Sequence, residues 1–328
     1  MLRRRAFVAG AGAGVAGLLI AGRAEAGPSR AAGRARSIPD PTGSIVTRWD
    51  TDPWSRGGYS ALPAGVPARS RTVIAETIIG GRVAMAGEYA DWAYPSTVPG
   101  ALRSGRAAAR LLDDDGPGVS GRSIVVIGAG MAGLGAATEL RRLGARVVVV
   151  EASGRVGGRV RTDRSWGVPV EAGAAWLHGI RRNAMVPLVR RAGLSTVRTD
   201  YDDEHVRSTL TGRLDPVAEQ RAQDLIALAG RLEASNPPVS MSVATWLAQQ
   251  GWVSSGPDDW AEQTEIVQEF GLDADLLGAR AYTEGAYVRG PDDFVAGGYD
   301  RVPRMLAADL DVRLRTPVAS VAVEGSAV

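Results

Sequence analysis

The chain has 328 residues, 38 basic against 36 acidic, with two His and no Cys. That length holds one large core or two domains, and the near-balanced charge gives no electrostatic case for nucleic acid. Without Cys there are no disulfides, thiol catalysis or cysteine metal sites, and two separated His make no recognisable ligand set. All the basic residues are Arg, so lysine chemistry is excluded as well.

Residues 1–26 read as an export signal. Arg3, Arg4 and Arg5 precede Phe7, a weakly apolar run follows from Val8 to about Gly22, and Ala24-Glu25-Ala26 is a small-residue cleavage site. Arg4-Arg5-x-Phe7 fits a twin-arginine signal, so the chain is expected to be exported, to the periplasm or beyond. The apolar run is too short to span a bilayer. Gly12, Gly14 and Gly17 have G-x-G-x-x-G spacing, but no strand precedes them and they are not read as a cofactor loop. Residues 27–40, rich in Gly, Pro, Ser and Arg, read as a flexible leader.

The segment 41–112 carries two notable stretches: IVTRWDTDPWSRGGYS from Ile45 to Ser60, and GRVAMAGEYADWAYPSTVPGALRSGRAAARLL from Gly81 to Leu112. The second predicts a helix ending near Leu112, with Pro99 at its first position, where a missing N–H costs nothing. Asp113 to Arg122 forms a polar linker around Asp113-Asp114-Asp115-Gly116-Pro117-Gly118.

The chain is organised around Ser123 to Arg159. Ile124 to Ile127 predicts a buried parallel strand. Gly128, Gly130 and Gly133 follow at G-x-G-x-x-G spacing, and an Ala-rich helix runs to about Leu143. Val147 to Val150 is a second strand, ending at Glu151, 18 residues after Gly133. Gly128 permits the tight turn, Gly130 a close approach to a pyrophosphate, and Gly133 close packing of helix on strand. The helix N-terminus offers free N–H groups and partial positive charge to the phosphates. Glu151 stands where it can accept hydrogen bonds from ribose hydroxyls. Strand, glycines, helix, strand and acid together identify a dinucleotide-binding unit.

Glu151, Arg155, Gly157, Gly158 and Arg159 continue this unit as E-A-x-x-R-x-G-G-R. In this the chain resembles the flavin-dependent amine oxidase family, which includes monoamine oxidases, polyamine oxidases and flavin-type histone demethylases. The resemblance implies non-covalently bound FAD and a Rossmann-like FAD-binding domain. It extends to 41–112, which is similar to the family's C-terminal end although here it precedes the glycine motif. A circular permutation is therefore expected, joined through 113–122.

The resemblance also assigns site residues. Arg82 to Ala86 should be a strand of the FAD sheet, followed by Glu88 on the ribityl chain. Thr97 and Val98 should lie at the flavin edge, where the helix N-terminus stabilises the anion formed on reduction. Tyr59 matches an aromatic wall of the substrate cage, Thr97 leaves the opposite wall small, and His178 matches a pocket position that could touch substrate. Trp49 and Trp54 are read as core packing beside the cofactor. Glu171 to Trp176 should pass beneath the flavin. His205, in an acidic turn, is assigned nothing.

Beyond this, 183–290 reads as a helical substrate domain, with helices at Ala184–Ala192, Pro216–Glu233, Val243–Gln250 and Asp258–Phe270 whose aromatics are expected in its core. Residues 291–328 return to the FAD domain, and Val312 to Val323 should form a strand pair. With 123–182 as the Rossmann segment, the expected fold is α/β: a Rossmann-like FAD domain with a helical, incomplete substrate domain. The family's remaining substrate-domain sheet and its lysine find no counterpart, which leaves three readings: a truncated chain, a complementing chain or second copy, or a rebuilt pocket. The implied activity is oxidation of a small-molecule amine with O2, giving imine or aldehyde and H2O2. An L-amino-acid oxidase, another FAD oxidoreductase of the superfamily and a non-catalytic FAD-binding remnant are the alternatives.

Overall fold

The computed structural model describes residues 42–199, 206, 208, 213–256, 259–286 and 290–324. The export signal, nearly all of the leader and His205 lie outside them. At the centre are three parallel strands, β3 (Ser123–Ile127), β4 (Arg146–Val150) and β10 (Asp311–Arg313), in the order β10-β4-β3. Ser123 stands opposite Arg146 and Ile127 opposite Val150, so β3 and β4 end together. The crossover between them is α3 (Met131–Arg142). Alternation decides the faces. Val126 and Val149 point into the main core, whereas Val125 and Ile127 on the other face of β3 are 61% and 55% exposed.

The preceding segment packs onto this unit. It comprises α1 (Arg69–Glu76), the hairpin β1 (Ile78–Ile79) and β2 (Val83–Ala84), and α2 (Val98–Asp114). Helices α2 and α3 lie against each other through small residues. A Cβ on Gly105 would fall 1.9 Å from the Ala132 carbonyl oxygen, so only glycine permits this approach. Buried Leu102 and Ala109 of α2 share a core with Leu134 and Ala137 of α3. The expected strand at Arg82 to Ala86 is corrected. Gly80 and Gly81, both at positive φ, fold the chain back so that Val83–Ala84 pairs antiparallel with Ile78–Ile79 and stands outside the parallel sheet. Pro99 is the second residue of its helix and Val98 the first; Pro is tolerated there because that N–H, too, lacks an intrahelical partner.

After β4 come β5 (Thr162–Asp163), β6 (Val170–Glu171) and β7 (Trp176–Leu177). Then follow α4 (Val186–Arg191), β8 (Ser195–Arg198) and, later, β9 (Asp293–Ala296), with β9 between β7 and β8 in an antiparallel sheet. Leu188, Val189 and Leu194 join the main core, so the helical body begins further along than residue 183. It contains α5 (Pro216–Ala234), α6 (Val243–Gln249), α7 (Trp260–Glu262), a π-helical turn at Gln263–Val267 and α8 (Gln268–Phe270). Its own core, around Leu225, Trp246 and Ile266, also takes Leu62 from the front segment. Helix α9 (Arg301–Ala307) leads back to β10. The expected strand pair at Val312 to Val323 is reduced to β10; residues 314–323 form no strand.

Candidate functional site

One cleft of about 1510 Å³ runs from the glycine loop to the helical body. That exceeds the roughly 300–1,000 Å³ of a pocket for a drug-sized ligand and leaves room for an extended dinucleotide with space beside it. Every residue assigned from sequence lines it: Gly128, Gly130, Gly133, Glu151, Arg155, Gly157, Gly158, Arg159, Glu88, Tyr59, Thr97, Val98 and His178.

The glycine loop is built for a close ligand. Gly128 turns at φ 97°, a left-handed conformation that side chains resist. A Cβ on Gly133 would lie 1.8 Å from the Gly128 carbonyl oxygen, which is why helix and loop can touch. No atom stands within 4 Å of where a Cβ on Gly128 or Gly130 would be, so that side is open. The second glycine pair braces the first: Gly157 N–H donates to the Ala129 carbonyl at 2.8 Å, and Gly130 bridges Gly157.

The two buried glutamates differ in what they have left to offer. Glu151 accepts from Ala129 N–H and Ser153 N–H, both at 2.7 Å. A carboxylate has about four acceptor positions, so Glu151 retains capacity for hydroxyl donors. Glu88 accepts four bonds: from Ser60 N–H (3.1 Å), Ser60 Oγ (2.6 Å), Ser96 N–H (2.9 Å) and Arg159 Nη1 (2.8 Å). Its capacity is filled by protein, which corrects the expectation that it bonds a ribityl chain directly. It is instead a clasp that closes the front segment onto Arg159. Ser96, held there at φ 63°, carries backbone strain immediately before the helix.

At the N-terminus of α2, Thr97 Oγ1 accepts from Gly100 N–H at 3.1 Å and donates to the Tyr94 carbonyl at 2.7 Å. Pro99 has no N–H. The Val98 N–H is therefore the donor this turn turns toward a ligand. Across the cleft, Ala172 N–H and Ala174 N–H bond the carbonyls of Arg161 and Arg159, fixing Ala172 to Ala175 as a flat floor. Burial raises the Glu171 carboxyl above its usual range despite bonds from Tyr299 N–H and Thr162 Oγ1.

The far end belongs to residues that sequence reasoning missed. Gln268, Glu269, Phe270 and Tyr282 line the cleft opposite Tyr59. Phe270 and Tyr282 stack at 4.8 Å, and they face the cleft as well as the helical core to which they were assigned. Burial, and then the Glu269 charge, push the Tyr59 phenol far above its usual range, so it stays neutral. The one available signal was the local irregularity: Gly271, left-handed at φ 63°, ends α8 directly after the π-helical turn. A Cβ there would sit 3.1 Å from the Tyr59 ring. Trp54 also lines the cleft but is 59% exposed, so its assignment to the core is corrected. His178 sits at the cleft wall with Nδ1 2.8 Å from Asp292 Oδ2.

Among the described residues no group of three His, Asp or Glu could hold a metal ion, and no helix is long and apolar enough to cross a membrane. The parallel sheet, open glycine loop and glutamate with spare acceptors define a dinucleotide-binding protein. The family model for flavin containing amine oxidoreductases matches residues 28–113 and 131–328. With most of its length matched, the chain belongs to that family. It is 29% identical over 231 residues to Probable polyamine oxidase 4 of Arabidopsis thaliana, covering 61% of this chain and 44% of that protein. To polyamine oxidase 3 of Oryza sativa subsp. japonica it is 30% identical over 224 residues, covering 58% and 44%. The chain thus spans less than half the length of these curated relatives. A solved structure of wild-type putrescine oxidase bound to putrescine aligns at 25% identity with a TM-score of 0.46, covering 59% of this chain and 51% of that one.

Proposed function

We propose that the cleft binds FAD non-covalently and that the protein oxidises an amine, passing the electrons to O2 with formation of H2O2. The observation that carries this reading is the continuity of the cleft: a dinucleotide cradle at one end and a neutral aromatic and acidic pocket at the other. The cradle fits the cofactor in its open glycine face, in the spare acceptor positions of Glu151 and in its volume. FAD bound there would supply the two-electron acceptor for a hydride leaving the carbon next to the amine nitrogen.

The chain's own residues do the rest. The N-terminus of α3 faces the pyrophosphate, Glu151 the ribose, and Val98 N–H, with the partial positive charge of α2, the edge where negative charge develops. Glu88 keeps Arg159 at the cleft wall. Tyr59, Phe270 and Tyr282 present ring faces to a cationic or neutral amine, and Glu269 gives that end a negative charge. These groups orient the substrate and exclude water rather than attack it. Small Thr97 leaves one wall open for a long or bulky amine.

The order of segments is best understood as a circular permutation. The packing of α2 on α3 and the Glu88–Arg159 pair support it, because 41–112 contributes to the same cleft as the glycine loop. Export through the twin-arginine pathway would suit a protein that acquires its cofactor before crossing; fractionation of cells expressing the full chain tests it. The test of function is anaerobic titration with polyamines, aromatic monoamines and L-amino acids while following the visible flavin spectrum. Bleaching by amines and recovery in air is the expected result. Bleaching by amino acids alone would make this an amino-acid oxidase, and a flavin that nothing bleaches would leave only an FAD-binding protein.

A further inference from the structure

Asp292 opens β9 and is almost fully buried, at 4% exposure. Its two oxygens divide between neighbours in the turn after β7: Oδ1 accepts Gly179 N–H at 2.7 Å, and Oδ2 lies 2.8 Å from His178 Nδ1. The turn is pinned further by Ile180 N–H on the Pro291 carbonyl (3.0 Å) and Asn183 Nδ2 on the His178 carbonyl (2.8 Å). An ionised carboxylate only accepts, so the proton of that contact sits on Nδ1 and the lone pair of the ring on Nε2. The His178 side chain is 23% exposed and forms part of the cleft wall. The other charged groups of this wall are Arg181 and Arg182 in the same turn, with Glu171 on β6. Asp293 faces away, engaged by Arg198 and Thr196 of β8.

We propose that Asp292 is a positioning residue that holds His178 to accept a proton from the substrate's ammonium, an assignment that rests on the amine reading above. An amine reaches the cleft mostly as ammonium, and a nitrogen without a lone pair cannot help expel hydride from the adjacent carbon. In the step assigned here one ammonium N–H bond breaks, its electron pair stays on the substrate nitrogen, and the proton bonds to Nε2. The resulting imidazolium lies against the Asp292 carboxylate, which stabilises it, and the proton leaves to solvent from the exposed ring edge. The chain contains no Lys and only one other His, His205. Glu269 is the competing acceptor in the same cleft.

Two histidines make the test tractable. In the ¹⁵N-histidine NMR spectrum of the purified chain, H178N identifies the His178 signals. The expected form is the Nδ1–H tautomer with a far-downfield Nδ1 proton that D292N removes; an Nε2–H tautomer in the parent overturns the proposal. The second arm is stopped-flow anaerobic flavin reduction by a bleaching amine across pH. H178N should slow reduction by about 10²–10⁴-fold, the usual worth of general base catalysis, and abolish the acid limb. D292N should slow it and move the limb to lower pH, and D292E should restore part of both. An unchanged limb in H178N, or a limb lost in E269Q instead, overturns the assignment while the amine reading stands. A parent flavin that no amine bleaches would sink both, and the tautomer would still report whether the dyad exists.

Discussion

Replacing Arg71 by methionine should be among the most destabilising single changes in the described structure. Arg71 lies in α1 at 2% exposure and forks onto Glu284, with Nε on Oε2 at 2.7 Å and Nη2 on Oε1 at 2.6 Å. Its remaining donors reach Ser60 Oγ (2.7 Å), the Tyr89 carbonyl (3.2 Å) and the Ser60 carbonyl (3.4 Å). One guanidinium thus ties the front segment to the helical body. R71M keeps the volume but leaves Glu284, 10% exposed, without its counter-charge. Breaking a buried pair from one side costs about 3–5 kcal/mol, a large share of the roughly 5–15 kcal/mol that holds a domain. With a urea m-value near ~3 kcal/mol/M, the midpoint should fall by about 1–2 M. R71M/E284L should recover most of the loss, because an apolar pair needs no counter-charge. Urea unfolding followed by tryptophan fluorescence reads both variants in one cycle. A midpoint shift under about 0.3 M for R71M, or a double variant no more stable than R71M, would refute the reasoning. Flavin affinity should fall as well, since Ser60 links Arg71 to Glu88 and Arg159.

Other substitutions separate site from scaffold. G133V should purify without the visible flavin spectrum yet keep its far-ultraviolet circular dichroism, because a Cβ 1.8 Å from the Gly128 oxygen closes the loop; a flavin-replete G133V would contradict the cradle. Y299F should raise stability by about 1 kcal/mol, since the buried Tyr299 hydroxyl has no hydrogen-bond partner among the described residues; a loss measured by urea unfolding would show that the hydroxyl is used. At acid pH, burial alone would raise the Asp259 carboxyl, but bonds from Arg221 and Ser255 outweigh burial and hold it at about 2. A depressed folded value means stability present above about pH 4 and lost as pH falls through about 2. D259N should flatten that window in acid-unfolding curves; an unchanged curve would count against it. At alkaline pH the sign reverses: burial raises Tyr59 and Tyr299, so stability is held below about pH 10 and falls above it as the unfolded state ionises. Y59F should blunt that loss in the same assay, and a loss identical to the parent's would exclude Tyr59 from it.

The dinucleotide unit was readable because its causes are local. A β-branched run, three glycines at fixed spacing, an Ala-rich helix and a terminal acid act within 29 residues from Ser123 to Glu151, and the strands and helix of the structure fall within a residue or two of the reading. The helices at Pro216–Ala234 and Val243–Gln249 were readable for the same reason, with Asp215 and Ser242 capping them. Where the reading failed, the deciding partner was distant. Val83–Ala84 has the composition of a sheet strand, but the turn at Gly80-Gly81 gave it a nearer neighbour. Phe270 looked like core because periodicity reports that a face is covered and says nothing of what covers it.

By itself, then, the order of residues determined the glycine cradle, the spare acceptor of Glu151, the absence of thiol and lysine chemistry, and the family to which the chain belongs. Only the tertiary structure decided that Glu88 is spent on Ser60, Ser96 and Arg159, that Glu269 and Tyr59 close one end of the cleft, and that Asp292 takes the Nδ1 side of His178. Each of these depends on a residue dozens of positions away. Hydrogen-bond capacity is used up by whichever donors packing brings near, and spacing along the chain carries no record of that.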